Sequence, residues 1–231
     1  MINKICNGNK INIFQNLLLG CMLVAGVGFS DITRAAFTFS QAPVDGNDAF
    51  SSISTEQAAD DFSLVSSGTV EKISWWGSYA SDPLGLPIDI FEVSFFQDNG
   101  SGSPAISPFA TLTDTVTRTS TGLFEATGAM VYRFDLSVST PFALTGSTPY
   151  YLSVINEFDV ITADANWYWL LSDTSGGNYY RFAVNDTWQS DTTGNFAFTL
   201  NIATAVPEPA NLWLFLIGSA LLGLVIKIRE T

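Results

Sequence analysis

Met130-Val-Tyr-Arg-Phe-Asp-Leu-Ser-Val138 repeats with a period of two residues. Met130, Tyr132, Phe134, Leu136 and Val138 fall on one side of an extended chain, and Arg133, Asp135 and Ser137 on the other. A helix of the same composition would scatter these apolar residues around its circumference. The stretch therefore predicts a β-strand with one buried face and one wet face.

The same pattern recurs outward from it. Phe196, Phe198, Leu200 and Ile202 alternate with Ala197, Thr199 and Asn201; Phe91, Val93 and Phe95 alternate with Glu92 and Ser94. Tyr180, Phe182 and Val184 flank Arg181 in the same way, which predicts Arg181 on a wet face. Residues 36–39, 61–65, 70–76, 113–119, 150–155 and 167–171 are further strands by apolar, β-branched and aromatic content. Residues 41–57 are polar and read as a loop or an edge strand. Turn-forming stretches separate the strands: Asp82-Pro-Leu-Gly85, Asp98-Asn-Gly-Ser-Gly-Ser-Pro104, Thr145-Gly-Ser-Thr-Pro149 and Thr174-Ser-Gly-Gly-Asn178. No long amphipathic helix is visible. Nine or ten half-buried strands need a second sheet to cover their apolar faces, so residues 37–205 are expected to be all-β. The expected architecture is a two-sheet antiparallel β-sandwich of jelly-roll type, with an immunoglobulin-like sandwich as the alternative.

Both ends of the chain differ from this. Lys4 and Lys10 precede a largely apolar run over residues 17–29, followed by Thr33-Arg-Ala-Ala36. A basic start, an apolar middle and small residues at the exit read as a secretory signal peptide over residues 1–36, cut after Ala35 or Ala36 by a signal peptidase. Leu18-Leu-Gly-Cys21 offers a rival, a lipoprotein site, but an apolar run follows Cys21 where a polar tether is expected. Cys6 and Cys21 both lie in this leader, so the mature domain has no disulfide, thiol nucleophile or cysteine metal site.

At the other end Val206-Pro-Glu-Pro209 stands directly before an uncharged apolar segment, residues 212–226, which ends at Lys227 and Arg229. The segment spans roughly 22 Å as a helix, short of a hydrocarbon core about 30 Å thick. Neighbouring residues and the Lys227 stem extend it, giving an expected transmembrane helix over residues 211–228 with its basic end held on the cytoplasmic side. Pro207 and Pro209 place the helix start near Ala210.

The order Pro207-Glu208-Pro209, apolar span, basic end resembles the PEP-CTERM sorting signal of exported proteins of Gram-negative bacteria. The resemblance covers residues 206–231 and departs from the pattern at Lys-Ile-Arg-Glu-Thr231, where the family has an Arg-rich run. It implies that an exosortase, a membrane-embedded cysteine transpeptidase, reads the tripeptide. It also implies transient anchoring in the inner membrane, then a place at the cell surface or outside it. Because the family is associated with exopolysaccharide production, it further implies a biofilm role.

The domain between the ends is acidic. From Phe37 to Val206, Lys72, Arg118, Arg133 and Arg181 face 19 Asp and Glu, a net charge of −15, against −13 for the whole chain. Nucleic acid and anionic membrane surfaces would be repelled, whereas cations, basic partners and neutral sugars are not. The chain has no histidine, which removes the Ser-His-Asp triad and histidine zinc sites. Paired carboxylates can hydrolyse glycosides, but no pair is marked out locally, and the expectation is a non-enzymatic protein.

Three aromatic residues are candidates for ligand stacking. In Trp75-Trp76-Gly-Ser-Tyr79, neighbours point to opposite faces, so with Trp75 inward Trp76 faces out. Trp76, Tyr79 and Trp188 are the expected sugar platform, while Trp167 and Trp169 are expected in the core. Asp60 and Asp61, with Glu56 nearby, are the candidate calcium ligands, although calcium needs six to eight oxygens and no calcium-loop motif is present.

Overall fold

The computed structural model describes residues 34–79, 88–157, 166–183 and 185–205. Arg34–Ala205 is one compact unit. Among the described residues every regular element is a strand, and no helix crosses a membrane. In chain order the strands are β1 (Arg34–Gln41), β2 (Ala49–Ser51), β3 (Gln57–Ser63), β4 (Gly68–Tyr79), β5 (Phe91–Gln97), β6 (Ala110–Leu112) and β7 (Val116–Phe124). They continue with β8 (Met130–Leu144), β9 (Pro149–Asn156), β10 (Trp167–Leu170), β11 (Asn178–Arg181), β12 (Gln189–Asp191) and β13 (Phe198–Ala205). The expected helix over residues 211–228, the signal-peptide residues 1–33, Pro207 to Pro209, Lys227 and Arg229 lie outside the described residues.

Two antiparallel sheets form. In the first, β4 is the spine. One edge carries β8 along Gly68–Gly77, and β7 lies beyond β8. The opposite edge carries β13 along Thr69–Trp75, with β1 outside it, and then β10 along Gly77–Tyr79, with β2 outside that. The second sheet runs β12-β11-β3-β9-β5-β6.

The sheets face each other across an aromatic interior. Phe62 of the second sheet meets Phe39 at 5.6 Å and Phe198 at 5.8 Å. Phe91 packs against Trp75, Phe134 and Trp167 at 5.0, 4.7 and 5.2 Å. These inward positions are the ones the two-residue period selects. Phe134, Leu136 and Val138, and the whole set Phe196, Phe198, Leu200 and Ile202, are buried in the main core; Met130, at the strand end, is exposed. Residues 41–57 contain the edge strand β2. The short strands β6 and β12 carry no alternation long enough to read from sequence.

Both sheets also bury residues on their outer faces. On the first, Val131, Leu170 and Ala197 form a second small core against Trp76 and Leu123. On the second, the 98–109 loop folds back over β9, β3 and β11. Tyr151 donates to Asp98 Oδ2 at 2.8 Å, Tyr179 to the Gly102 carbonyl at 2.7 Å, and Arg181 Nη1 to the Ile106 carbonyl at 2.9 Å.

This loop corrects the reading of Arg181. Arg181 is 1% exposed and Phe182 57% exposed, the reverse of the sequence expectation. Arg181 does lie on the outer face, but the loop covers it. Its Nε donates to Gln57 Oε1 at 2.7 Å, and its guanidinium lies 4.3 Å from the Trp188 ring centre. Hydrogen bonds and ring contact replace the water that a buried cation loses.

Candidate functional site

The expected platform residues do not share a surface. Trp76 faces outward on the first sheet, where it is half-buried against the second small core. Tyr79, three residues on, points inward and is 3% exposed. Its hydroxyl donates to Asp89 Oδ1 and accepts from Arg118 Nη1 at 2.9 Å. Arg118 also pairs with Asp89 Oδ2 at 3.0 Å, and Asn156 Nδ2 donates to Asp89 Oδ1 at 3.1 Å. Burial and the Asp89 carboxylate push the Tyr79 hydroxyl far above its ordinary range. The ring is thus fixed between the sheets and is closed to a ligand. Trp188 sits on the outer face of the second sheet, its indole donating to the Ala105 carbonyl at 3.1 Å and one ring face taken by Arg181. Trp167 and Trp169 are both fully buried in the core.

Asp60 and Asp61 also separate, because consecutive strand residues point to opposite faces. Asp60 projects between the sheets with Ala58 and Phe62; Asp61 projects outward and is exposed. The two carboxylates do not converge on one ion, and among the described residues no three acidic side chains gather as a metal-binding group. Asp60 is 0% exposed. Its Oδ2 accepts from the Phe196 amide at 2.6 Å and from the Gln41 side-chain amide at 2.7 Å, while Oδ1 has no partner. Burial pushes its acidity well above the ordinary carboxylate range, and the Phe196 hydrogen bond opposes this only in part. Burial thus disfavours the ionised form of Asp60.

A cleft of about 190 Å³ opens beside Asp60, between the β2 edge of the first sheet and the β11–β12 hairpin of the second. Five short segments build it. Register places Phe50 opposite the buried Trp169, so its ring faces inward, and the neighbouring Ser51 completes the rim. A tight turn holds Glu56 through reciprocal backbone bonds with Ile53 at 2.9 and 3.0 Å. On β11, Asn178 lies opposite Asp191 and Tyr180 opposite Ala58, so all four side chains share the inner face. Phe196 forms the floor, stacked on Trp169 at 4.5 Å and edge-on to Phe50 at 6.3 Å.

The polar atoms of the cleft are mostly acceptors. Asn178 is 3% exposed and spends its Nδ2 on the Gly194 carbonyl at 2.8 Å and Thr193 Oγ1 at 3.2 Å. Its Oδ1 is left as an acceptor. Asp191 Oδ1 accepts from the Thr193 amide at 2.8 Å, leaving Oδ2. Tyr180 gives its hydroxyl proton to Gln189 Oε1 at 2.9 Å. The Glu56 carboxylate is half-buried and has no hydrogen-bond partner among the described residues. Glu56 stands beside Asp60 in sequence, but Asn178, Tyr180 and Asp191 join it only through strand register. Nothing local in the sequence marks them as one site.

The expected cleavage residues Ala35 and Ala36 lie at the start of β1, paired with Thr204 and Ala203. Cutting after Ala36 leaves the ladder from Phe37 to Gln41 in place.

Residues 37–213 match the family model of a domain of unknown function, DUF7901. No curated protein matches the chain.

Proposed function

The chain belongs to the DUF7901 family, and from that premise we propose that it is an exported, non-enzymatic surface or extracellular-matrix protein. In this reading residues 1–36 are removed by signal peptidase. Residues 206–231 hold the chain in the inner membrane until an exosortase recognises Pro207, Glu208 and Pro209. The observation that carries the reading is that tripeptide, set between the β-domain and an apolar span with a basic end.

The sandwich itself is read as a jelly roll. Strand order supports this: β1-β13-β4-β8 in one sheet and β3-β9-β5-β6 in the other. From β3 to β4, β4 to β5, β6 to β8 and β8 to β9 the chain crosses between sheets, as two interleaved Greek keys require.

The sorting step is tested with Glu208→Ala. The variant should accumulate at full length in the inner membrane, whereas the wild-type chain is released. Unchanged release of the variant refutes exosortase recognition.

A second reading, binding of a sugar such as an exopolysaccharide unit, is favoured by the cleft. It combines aromatic walls with convergent polar atoms, the usual composition of a small-ligand site. It rests on Phe50, Tyr180 and Phe196 and not on Trp76, Tyr79 and Trp188.

A further inference from the structure

We propose that the cleft between β2 and the β11–β12 hairpin takes a protonated amino sugar, one ring of a cationic polysaccharide. This rests on the sugar-binding reading above and names its ligand.

Size comes first. About 190 Å³ is below the roughly 300–1,000 Å³ of sites that enclose a drug-sized molecule. One ring is seated there, not a chain. The flat side chains of Tyr180 and Phe50 and the Phe196 floor offer apolar surface to the carbon face of that ring.

Hydrogen-bond inventory then selects the ring. A carboxylate only accepts. Glu56 has both oxygens uncommitted, Asp191 retains Oδ2, and Asn178 retains Oδ1. The Tyr180 proton is already given to Gln189. Of the lining side chains, Ser51 alone still holds a hydroxyl proton to give. A ligand matched to this set must bring donors, and an ammonium group brings three with a positive charge. Two carboxylates and aromatic faces stabilise that charge further. Asn178 carries particular weight, being 3% exposed with an acceptor that no neighbouring group satisfies.

Other ligands fit less well. A sugar carboxylate or sulfate meets Glu56, Asp191 and the domain's net negative charge. An N-acetylated hexosamine has no positive charge and brings a single amide donor. A metal ion finds no group of three acidic side chains among the described residues.

The experiment is calorimetric titration of the full chain in detergent with β-1,4-glucosamine oligosaccharides, their N-acetylated counterparts and lysine oligomers. Glucosamine oligomers are expected to bind at least tenfold more tightly than the acetylated ones, with affinity falling as salt rises. Glu56→Gln keeps the shape and removes the charge; it should weaken glucosamine binding about tenfold while leaving the thermal transition unmoved. Equal affinity for both sugars refutes the amino-sugar assignment and leaves sugar binding standing. Absence of binding to either refutes both. Preference for lysine oligomers, or undiminished binding by Glu56→Gln, overturns the assignment. Cleavage of the oligosaccharide overturns it too, in favour of a carboxylate hydrolase.

Discussion

Asp60→Asn is expected to stabilise this protein increasingly as the pH rises above 4. Asp60 is fully buried between the sheets, with two donors on Oδ2 and none on Oδ1. Among the described residues no cation pairs with it. In the unfolded chain the same carboxyl meets water and ionises near pH 4. Folding therefore raises its pKa, and the folded state holds a proton that the unfolded state has lost. This contribution to stability is whole below the unfolded value and is lost as pH rises toward the folded one. A single group can impose at most about 1.4 kcal/mol per pH unit. Asparagine copies the protonated acid: its oxygen still accepts from Phe196 and Gln41, and its amide puts a donor in place of the acid proton. The variant should match the wild type near pH 4. It should then gain up to about 1.4 kcal/mol for each further pH unit. In a domain of this size that is roughly 3–6 °C in Tm per unit. Urea unfolding followed by tryptophan fluorescence, at pH 4 to 8 on both chains, measures the gap. Parallel pH curves would show that Asp60 titrates as an ordinary carboxylate. A variant less stable at every pH would show that the charged form is what the fold requires. Either result refutes the reasoning.

Two further substitutions test the packing. Trp169→Ala removes a fully buried ring stacked on Phe196 at 4.5 Å and a bond to the Ala197 carbonyl at 3.0 Å. A loss of about 3–5 kcal/mol is expected by urea titration, and less than 1 kcal/mol would mean that the core collapses around the gap. Gly77→Ala places a methyl 2.6 Å from the Trp167 ring and against the Tyr168 carbonyl, where β10 crosses close to β4. It should cost about 1–3 kcal/mol and selectively speed hydrogen exchange of the β10 amides. Exchange that rises uniformly instead would locate the strain elsewhere.

Strand class and in–out assignment were readable wherever an alternating run was long. The Phe196 to Ile202 run is buried position by position as its period implies. Trp75 inward and Trp76 outward follow from the same alternation. Two readings broke down, one at a covering loop and one at the strand alternation itself. Arg181 lies on the outer face as read, but the 98–109 loop buries it. Tyr79 looked available in sequence, yet three positions from Trp76 it must face the other way. The two-residue period by itself excludes a platform shared by that pair. The cleft was not legible in the same way, since Glu56, Asn178, Asp191 and Phe196 meet across three strand pairings and a turn.

The sequence by itself determined that this domain is built from strands, which runs face the core, and that it is acidic without histidine. Those properties are local or additive: a side chain's face follows from its place in a two-residue period, and charge is a count. Tertiary structure decided which strands are neighbours, that Asp60 is sealed between sheets while Asp61 is wet, and that Asn178 and Tyr180 open onto a cleft with Glu56. Each of these depends on the register between segments far apart in the chain. A shift of one residue there would turn every one of these side chains to the opposite face.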